Sequence, residues 1–280
     1  MEEKKGIDSL MSENRTFSPP ENIKANAYVN SIEQYQKMWE QSINEPDKFW
    51  LEQAKTLHWF KTPTKSLEYT WDTKNRKIEH KWFADGKLNV SYNCLDRHLG
   101  TPIAKKTALI WQGDSDEHMQ KYTYEQLHKE VCKFANVLKS KGIQKGDRVA
   151  IYMGMVPELA IVMLACTRIG AIHSIIFGGF SADAISGRVN DSDCKMLITV
   201  NTSRRGKKAI PLKGIADDAL RNCPSIESCI VVKVTDDACH MEPGRDFWYS
   251  EEMAKVVSQE MKLDFKTKLG ELKKAWKIPY

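Results

Sequence analysis

Apolar residues through the middle of this chain switch repeatedly between a helical and a strand period. Leu127, Val131, Phe134 and Leu138 recur at three and four residues, behind Thr123-x-x-Gln126 as a capping box and ahead of Gly142 as a C-terminal cap. Lys145-Gly146-Asp147 then turns the chain into a short apolar run, Val149–Tyr152. Pro157-Glu158 opens a nearly all-apolar helix that stops before Gly170. Further strands are predicted at Ile172–Phe177, Met196–Val200 and Cys229–Lys233, with helices after a Ser181 cap and around Ile215–Arg221. Strands apolar throughout, with helices between them, predict an α/β fold: a largely parallel sheet covered by helices on both faces.

The flanks are patterned more weakly. Residues 1–30 read as an extended lead-in. Asn30-Ser31-Ile32-Glu33 reads as a capping box for a helix that buries Tyr35 and Trp39, four residues apart. Pro46 begins a second helix carrying Phe49 and Trp50. Between Leu67 and Tyr92, aromatic residues among Asp, Lys and Gly predict short strands or a hairpin turning near Asp85-Gly86, and Thr107–Trp111 predicts another strand. Residues 251–276 have helix-forming composition, with Met253, Val256, Val257 and Met261 on one side.

Composition narrows the function classes. Hydrophobic residues make up 41% and charged residues 28%, as in soluble globular proteins. The opening Met1-Glu2-Glu3-Lys4-Lys5 lacks the apolar stretch of a secretory signal, and no apolar run is long enough to span a bilayer. Most of the +5 net charge lies in residues 262–280, where six lysines face only Asp264 and Glu271. The remaining body is nearly neutral, which argues against nucleic acid as a partner. Seven cysteines without C-x-x-C spacing read as reduced thiols of a cytoplasmic protein, and scattered histidines supply no metal site.

Two segments carry candidate chemistry. Phe177-Gly178-Gly179-Phe180-Ser181 joins a strand to a helix, where glycine allows close backbone approach and the helix start offers free N–H groups. The same glycines also suit a tight turn with no ligand. Ser203-Arg204-Arg205-Gly206-Lys207-Lys208 places cations at a chain reversal after a strand, a composition that suits phosphate and equally suits a solvated loop. No P-loop, G-x-G-x-x-G or G-x-S-x-G motif occurs. His173 reads as a core histidine, and Asp114, Asp116, Glu117 and His118 as a polar turn.

With these blocks in view, the sequence resembles the N-terminal portion of the AMP-forming acetyl-coenzyme A synthetases (acetate–CoA ligases). The resemblance runs from about residue 20 to 260. It is carried by Trp82-Phe83-Ala84-Asp85-Gly86-Lys87-Leu88-Asn89, Asn93-Cys94-Leu95-Asp96-Arg97-His98, Lys145–Tyr152, Gly170-Ala171-Ile172-His173-Ser174 and Phe177–Arg188. It implies a chemistry in which ATP, with magnesium, adenylates acetate and CoA then displaces AMP. It also implies a CoA surface at Phe177, Gly178, Gly179, Arg205, Gly206, Lys207, Lys208 and Ile210. The family's R-G-G-R/K segment has glycine where this chain has Lys207, which either crowds the CoA or adds a cation.

The family's Y-T-S-G-S-T-G-x-P-K-G loop should follow soon after Met261, where the chain instead reads Lys262-Leu263-Asp264-Phe265-Lys266. The acetate pocket, nucleotide contacts, magnesium ligands and catalytic lysine of the family have no counterpart here. The resemblance therefore implies an incomplete N-terminal domain of an acyl-adenylate-forming enzyme, with no catalytic or metal residues and an inactive isolated chain. The implied organisation is a lead-in (1–30), a helical and short-strand cap (31–105), a partial α/β AMP-binding-type domain (106–261) and a Lys-rich tail (262–280). Two alternatives stay open: a non-catalytic module that binds CoA or a full-length homologue, or one half of a split ligase whose C-terminal half is separate.

Overall fold

The computed structural model describes residues 16–256 apart from Asp116 and Lys207. The chain divides into two compact units, one up to Lys87 and one from Leu88.

In the first unit, helices α1 (Glu21–Asn26), α2 (Ile32–Asn44) and α3 (Pro46–Ala54) precede strands β1 (Leu67–Asp72) and β2 (Lys77–Trp82). The lead-in is therefore not wholly extended. Ser31 caps α2 by accepting from Gln34 N at 3.1 Å, while Gln34 Oε1 accepts from Asn30 N at 3.1 Å. The capping signal is thus real, with its register one residue later than expected. The expected burial of Tyr35 and Trp39 fails, since both are 56% exposed and no residue of α2 is buried. Helical spacing aligns side chains on one stripe, but the partner that covers a stripe lies elsewhere in the chain.

β1 and β2 pair antiparallel, Leu67 opposite Trp82 and Trp71 opposite Ile78. Their reversal lies between Asp72 and Lys77, where the Asp72 carboxylate accepts from Asn75 N (3.0 Å) and Nδ2 (2.7 Å), an aspartate-closed turn. Asp85-Gly86 is not that turn. Asp85 instead accepts from Thr64 N (3.1 Å) and Oγ1 (2.9 Å), and a Cβ on Gly86 would lie 2.6 Å from the Trp59 ring.

The second unit opens with α4 (Val90–Cys94) and two 3₁₀ turns, then a hairpin of β3 (Thr107–Gln112) and β4 (Met119–Thr123). From there the alternation is regular: α5 (Tyr124–Ser140), β5 (Arg148–Met153), α6 (Pro157–Ile169), β6 (Ile172–Phe177), α7 (Ala182–Asp191) and β7 (Met196–Val200). A small hairpin, β8 (Ser203–Arg205) and β9 (Lys208–Ile210), leads to α8 (Leu212–Leu220), β10 (Ser228–Val232), β11 (Asp246–Trp248) and α9 (Tyr249–Lys255). The expected tail helix is present over Tyr249–Lys255 and ends at an extended Val256; the rest of the expected span, 257–276, lies outside the described residues.

Five strands form one sheet in the order β11-β10-β7-β5-β6, every pair parallel. The chain runs outward from β5 to β6, then crosses back past β5 to β7. With right-handed crossovers this reversal puts α6 and α7 on opposite faces. α5 packs with α6, and α7 with α8. β7 and β10 are buried along their length and β5 nearly so. β6 departs from the expected two-sided burial: as an edge strand it leaves Ile172 55%, Ile175 50% and Phe177 64% exposed. Ile151, Ile198 and Ile230 lie side by side across the sheet and belong to its core, with Val131, Phe134 and Leu138 of α5.

The helix ends follow their local chemistry. Thr123 Oγ1 accepts from Gln126 N (3.2 Å) while Gln126 Oε1 accepts from Thr123 N (2.9 Å), the reciprocal box predicted for α5. Gly142 and Gly170 adopt φ of +83° and +78° just beyond α5 and α6, a left-handed conformation that favours glycine. No helix among the described residues is long and apolar enough to cross a membrane.

Candidate functional site

In an open parallel sheet, ligands collect beyond the carboxyl ends of the strands where the winding direction reverses. Here that place is the end of β5, flanked by β6 on one side and β7 on the other. Three loops leave it: Gly154 after β5, Gly178-Gly179 after β6, and Asn201-Thr202 with the β8–β9 hairpin after β7.

The loop after β6 is a tight turn, with Phe180 N donating to Phe177 O at 3.0 Å. A Cβ on Gly178 would sit 3.2 Å from the Met153 carbonyl oxygen and 3.6 Å from Leu212 Cδ1, and one on Gly179 would sit 2.7 Å from the Phe177 ring. Neither is among the residues with positive φ. At Gly178 close approach to backbone, and not backbone conformation, is what favours glycine, while the ring met at Gly179 is the end of an exposed side chain. Ser181 caps α7 by accepting from Ala184 N at 3.4 Å, and exposed Asp183 already brings negative charge to that first turn. Phe177 and Phe180 meet edge to face with centroids 5.9 Å apart, and the Arg188 guanidinium lies 4.5 Å from the Phe180 ring centroid.

The cationic segment is a two-stranded reversal at Gly206 (φ +58°), pairing Ser203 with Ile210, Arg204 with Ala209 and Arg205 with Lys208. Arg204, Gly206 and Lys208 are exposed, and Ile210 packs partly against the core. Lys207 and the Arg205 side chain lie outside the described residues. The hairpin sits against the end of β5, because a Cβ on Gly154 would fall 2.5 Å from Ser203 Oγ. The turn after β6 and the hairpin after β7 thus flank the same strand end, one touching Met153 and the other Gly154.

Several participants carry little sequence signal. Gly154 and Ser203 matter only because they meet. Tyr152, fully buried on β5, donates from its hydroxyl to Phe180 O at 3.1 Å. Asn201 closes the end of β7: its Nδ2 donates to Thr235 O and Asp237 O, both 2.9 Å, and its Oδ1 accepts from Val234 N at 2.9 Å. An Asn just after an apolar run is the one available hint of such a lock. Lys213, close behind Ile210, has the composition of a phosphate ligand but is wholly buried. It is paired with Asp217 at 2.6 Å and Asp246 at 2.7 Å, and Arg245 completes the network on the same two carboxylates. Burial alone would lower its pKa, yet those two hydrogen bonds raise it, so Lys213 is a structural cation.

A second cluster has a suggestive composition. His128 Nε2 lies 3.2 Å from Asp96 Oδ1, 3.4 Å from Cys132 Sγ and 3.3 Å from Arg168 Nη2. A nucleophile–base–carboxylate relay needs the thiol and the carboxylate on opposite ring nitrogens. Here both face Nε2, and the Cys132 thiol is buried. The geometry is that of an internal ion cluster joining α5, α6 and the 3₁₀ turn at Asp96–His98. Arg168 forks onto Asp96 at 2.6 and 2.8 Å. Burial would raise the Asp96 pKa, but hydrogen bonds from His128 and Arg168 hold it at about 2. Burial would lower His128, but its bonds to Asp96 and Cys132 lift it to about 9.

His173 on β6 is half-buried, and burial lowers its pKa. Asp114 and His118 lie in the β3–β4 turn, closed by Gly113 N donating to His118 O at 2.6 Å. Among the described residues no group of three or more His, Cys, Asp or Glu side chains is arranged to hold a metal ion.

Known proteins resemble this chain in sequence and in fold. Residues 96–262 match the family described as AMP-binding enzyme, and residues 35–94 match the acetyl-coenzyme A synthetase N-terminus. An acetyl-coenzyme A synthetase of Parvibaculum lavamentivorans is 50% identical over 240 residues, which is 86% of this chain and 36% of the relative. One from Chlorobaculum tepidum is 46% identical over 253 residues, covering 90% of this chain and 37% of the relative. Among solved structures, acetoacetyl-CoA synthetase from Streptomyces lividans superposes with a TM-score of 0.66 at 20% identity, over 78% of this chain and 32% of that one, a likeness of fold. The chain belongs to the AMP-binding enzyme family and is a homologue of the N-terminal third of acetyl-coenzyme A synthetases. It spans little more than a third of the length of these relatives.

Proposed function

We propose that this acetyl-coenzyme A synthetase homologue contributes a CoA-binding surface at the carboxyl ends of β6, β5 and β7. The observation that carries the reading is convergence. The Gly178-Gly179 turn and the β8–β9 hairpin, far apart in sequence, both press on the end of β5. Backbone unshielded by side chains at Gly178 and Gly179 lets a nucleotide edge approach beside the Phe177 ring. Lys208 and Arg204, with Arg205 and Lys207 as further members, supply the cations that phosphate and pyrophosphate groups require. Ile210 offers an apolar flank.

In the whole ligase the chemistry would be adenylation of acetate by ATP, then transfer of the acetyl group to CoA. Adenylation needs concentrated positive charge on the reacting phosphates. Lys213, which follows the β8–β9 hairpin, is consumed by two carboxylates and is not available to those phosphates. The role proposed for this chain by itself is binding, without turnover.

Calorimetric titration of CoA into this chain tests the reading, with Arg205→Ala as the comparison and two salt concentrations. Expected are measurable binding, about tenfold weaker in the variant as for a charge-assisted phosphate contact, and further weakening by salt. Equal affinity in the two proteins refutes the assignment. Pyrophosphate release from ATP, acetate and CoA by this chain alone refutes the absence of turnover.

One observation favours a second reading, a module completed by another polypeptide. Among the described residues β6 is an edge of its sheet, and Ile172, Ile175 and Phe177 on it are exposed, a surface suited to further strand or apolar contact. Co-purification with a separately encoded C-terminal half, with ligase activity restored only in the mixture, would support it.

A further inference from the structure

We infer that Tyr152 is the positioning residue of the CoA surface: from β5 it holds the glycine turn that follows β6 in its ligand-ready shape. The inference rests on the CoA reading for its consequence, while the tether itself is independent of it. Tyr152 lies between Ile176 of β6 and Thr199 of β7 in the sheet register, wholly buried. Its hydroxyl leaves that layer to donate to Phe180 O at 3.1 Å. Phe180 is also the closing residue of the turn, donating its own N–H to Phe177 O at 3.0 Å. The one residue is thus clamped at both backbone groups, and of the two glycines between, Gly178 is held so close to Met153 that a Cβ would lie 3.2 Å from its carbonyl oxygen.

Without the phenol hydroxyl, the turn keeps its internal hydrogen bond but loses its anchor to the sheet. Glycines have wide conformational freedom, so an unanchored Gly-Gly turn samples other shapes and ligand binding must then bear the ordering cost. Phe177, Phe180 and the start of α7 move with the turn. Tyr152 touches no reacting group and acts only through the turn it holds.

The test uses the full 280-residue chain as wild type, Tyr152→Phe and Ser225→Ala. Ser225 is a matched control, its hydroxyl donating to Cys194 O at 2.9 Å beside the amino ends of β7 and β10. CoA affinity is measured by calorimetry, and amide exchange is followed over residues 178–184 and over the core strands. Expected for Tyr152→Phe is CoA binding about fivefold weaker, the effect of one ordinary hydrogen bond, with faster exchange over 178–184 and unchanged exchange in β7 and β10. Ser225→Ala should match wild type in both readouts. Wild-type affinity in Tyr152→Phe, or equal weakening in both variants, overturns the positioning role. If wild type itself fails to bind CoA, the CoA reading falls, and exchange alone decides the tether: unchanged rates over 178–184 overturn it and faster rates uphold it.

Discussion

Replacing Asp96 by asparagine should destabilise the second unit severely, and the structure sets the scale. Arg168 has a wholly buried side chain whose charge is balanced by the Asp96 carboxylate at 2.6 and 2.8 Å, with His128 against the same carboxylate. Asparagine keeps the volume but removes the Asp96 negative charge from beside the buried guanidinium. Breaking a buried pair on one side costs about 3–5 kcal/mol, against a total stability of about 5–15 kcal/mol for a domain. With a urea slope of about 2 kcal/mol per molar, the midpoint should fall by about 2 M.

The cluster also predicts how this loss varies with pH. His128 is raised from 6.5 to about 9, so its contribution is complete below pH 6.5 and disappears as pH rises through about 9. Asp96 is lowered from 3.8 to about 2, so its contribution is complete above pH 3.8 and disappears as pH falls through about 2. Wild type should therefore show a plateau from about pH 4 to 6.5 with a decline on each side. In Asp96→Asn both declines should flatten, because the titrating carboxylate is gone and His128 has lost the negative charge that raises it. Urea titrations followed by far-ultraviolet circular dichroism at several pH values measure this. A midpoint within about 0.5 M of wild type at pH 6, a shift worth only about 1 kcal/mol at that slope, with the alkaline decline intact, would refute the buried-cluster argument. The double variant Asp96→Leu with Arg168→Met, which removes both charges, should recover most of the loss.

Two further outcomes follow from local geometry. Gly154→Val should displace the β8–β9 hairpin, since even a Cβ would meet Ser203 Oγ at 2.5 Å; CoA affinity should drop severalfold while the thermal midpoint moves little, and unchanged affinity would count against that contact. Thr123→Ala removes half of the reciprocal cap of α5 and should cost about 1 kcal/mol in chemical denaturation without altering CoA binding.

Much of the second unit is legible in local pattern. The α5 stripe, its Thr123–Gln126 cap, Gly142 and Gly170 past the helix ends, and the apolar runs of β5, β7 and β10 each depend on interactions within a few residues. Such interactions leave their mark on neighbouring letters. Asp85-Gly86 has turn composition and points to a reversal there, whereas Asp72 closes the real one between β1 and β2 through Asn75. The three-residue strands β8, β9 and β11, together with β4, are too short or too polar for periodicity to reveal, and pairing alone defines them.

The amino-acid order by itself determined the alternation of helices and strands, the family, and the two segments that bear candidate CoA chemistry. Tertiary structure alone decided that β5 lies between β6 and β7, that both segments therefore meet at one strand end, and that Tyr152, Gly154 and Ser203 belong with them. It also decided that Lys213 is neutralised inside the fold, and that Tyr35, Trp39 and the β6 residues Ile172, Ile175 and Phe177 stand in solvent despite apolar spacing. The physical reason is range. Periodicity and capping are settled between neighbours along the chain, while burial and charge pairing depend on which distant segment arrives to cover or neutralise a group.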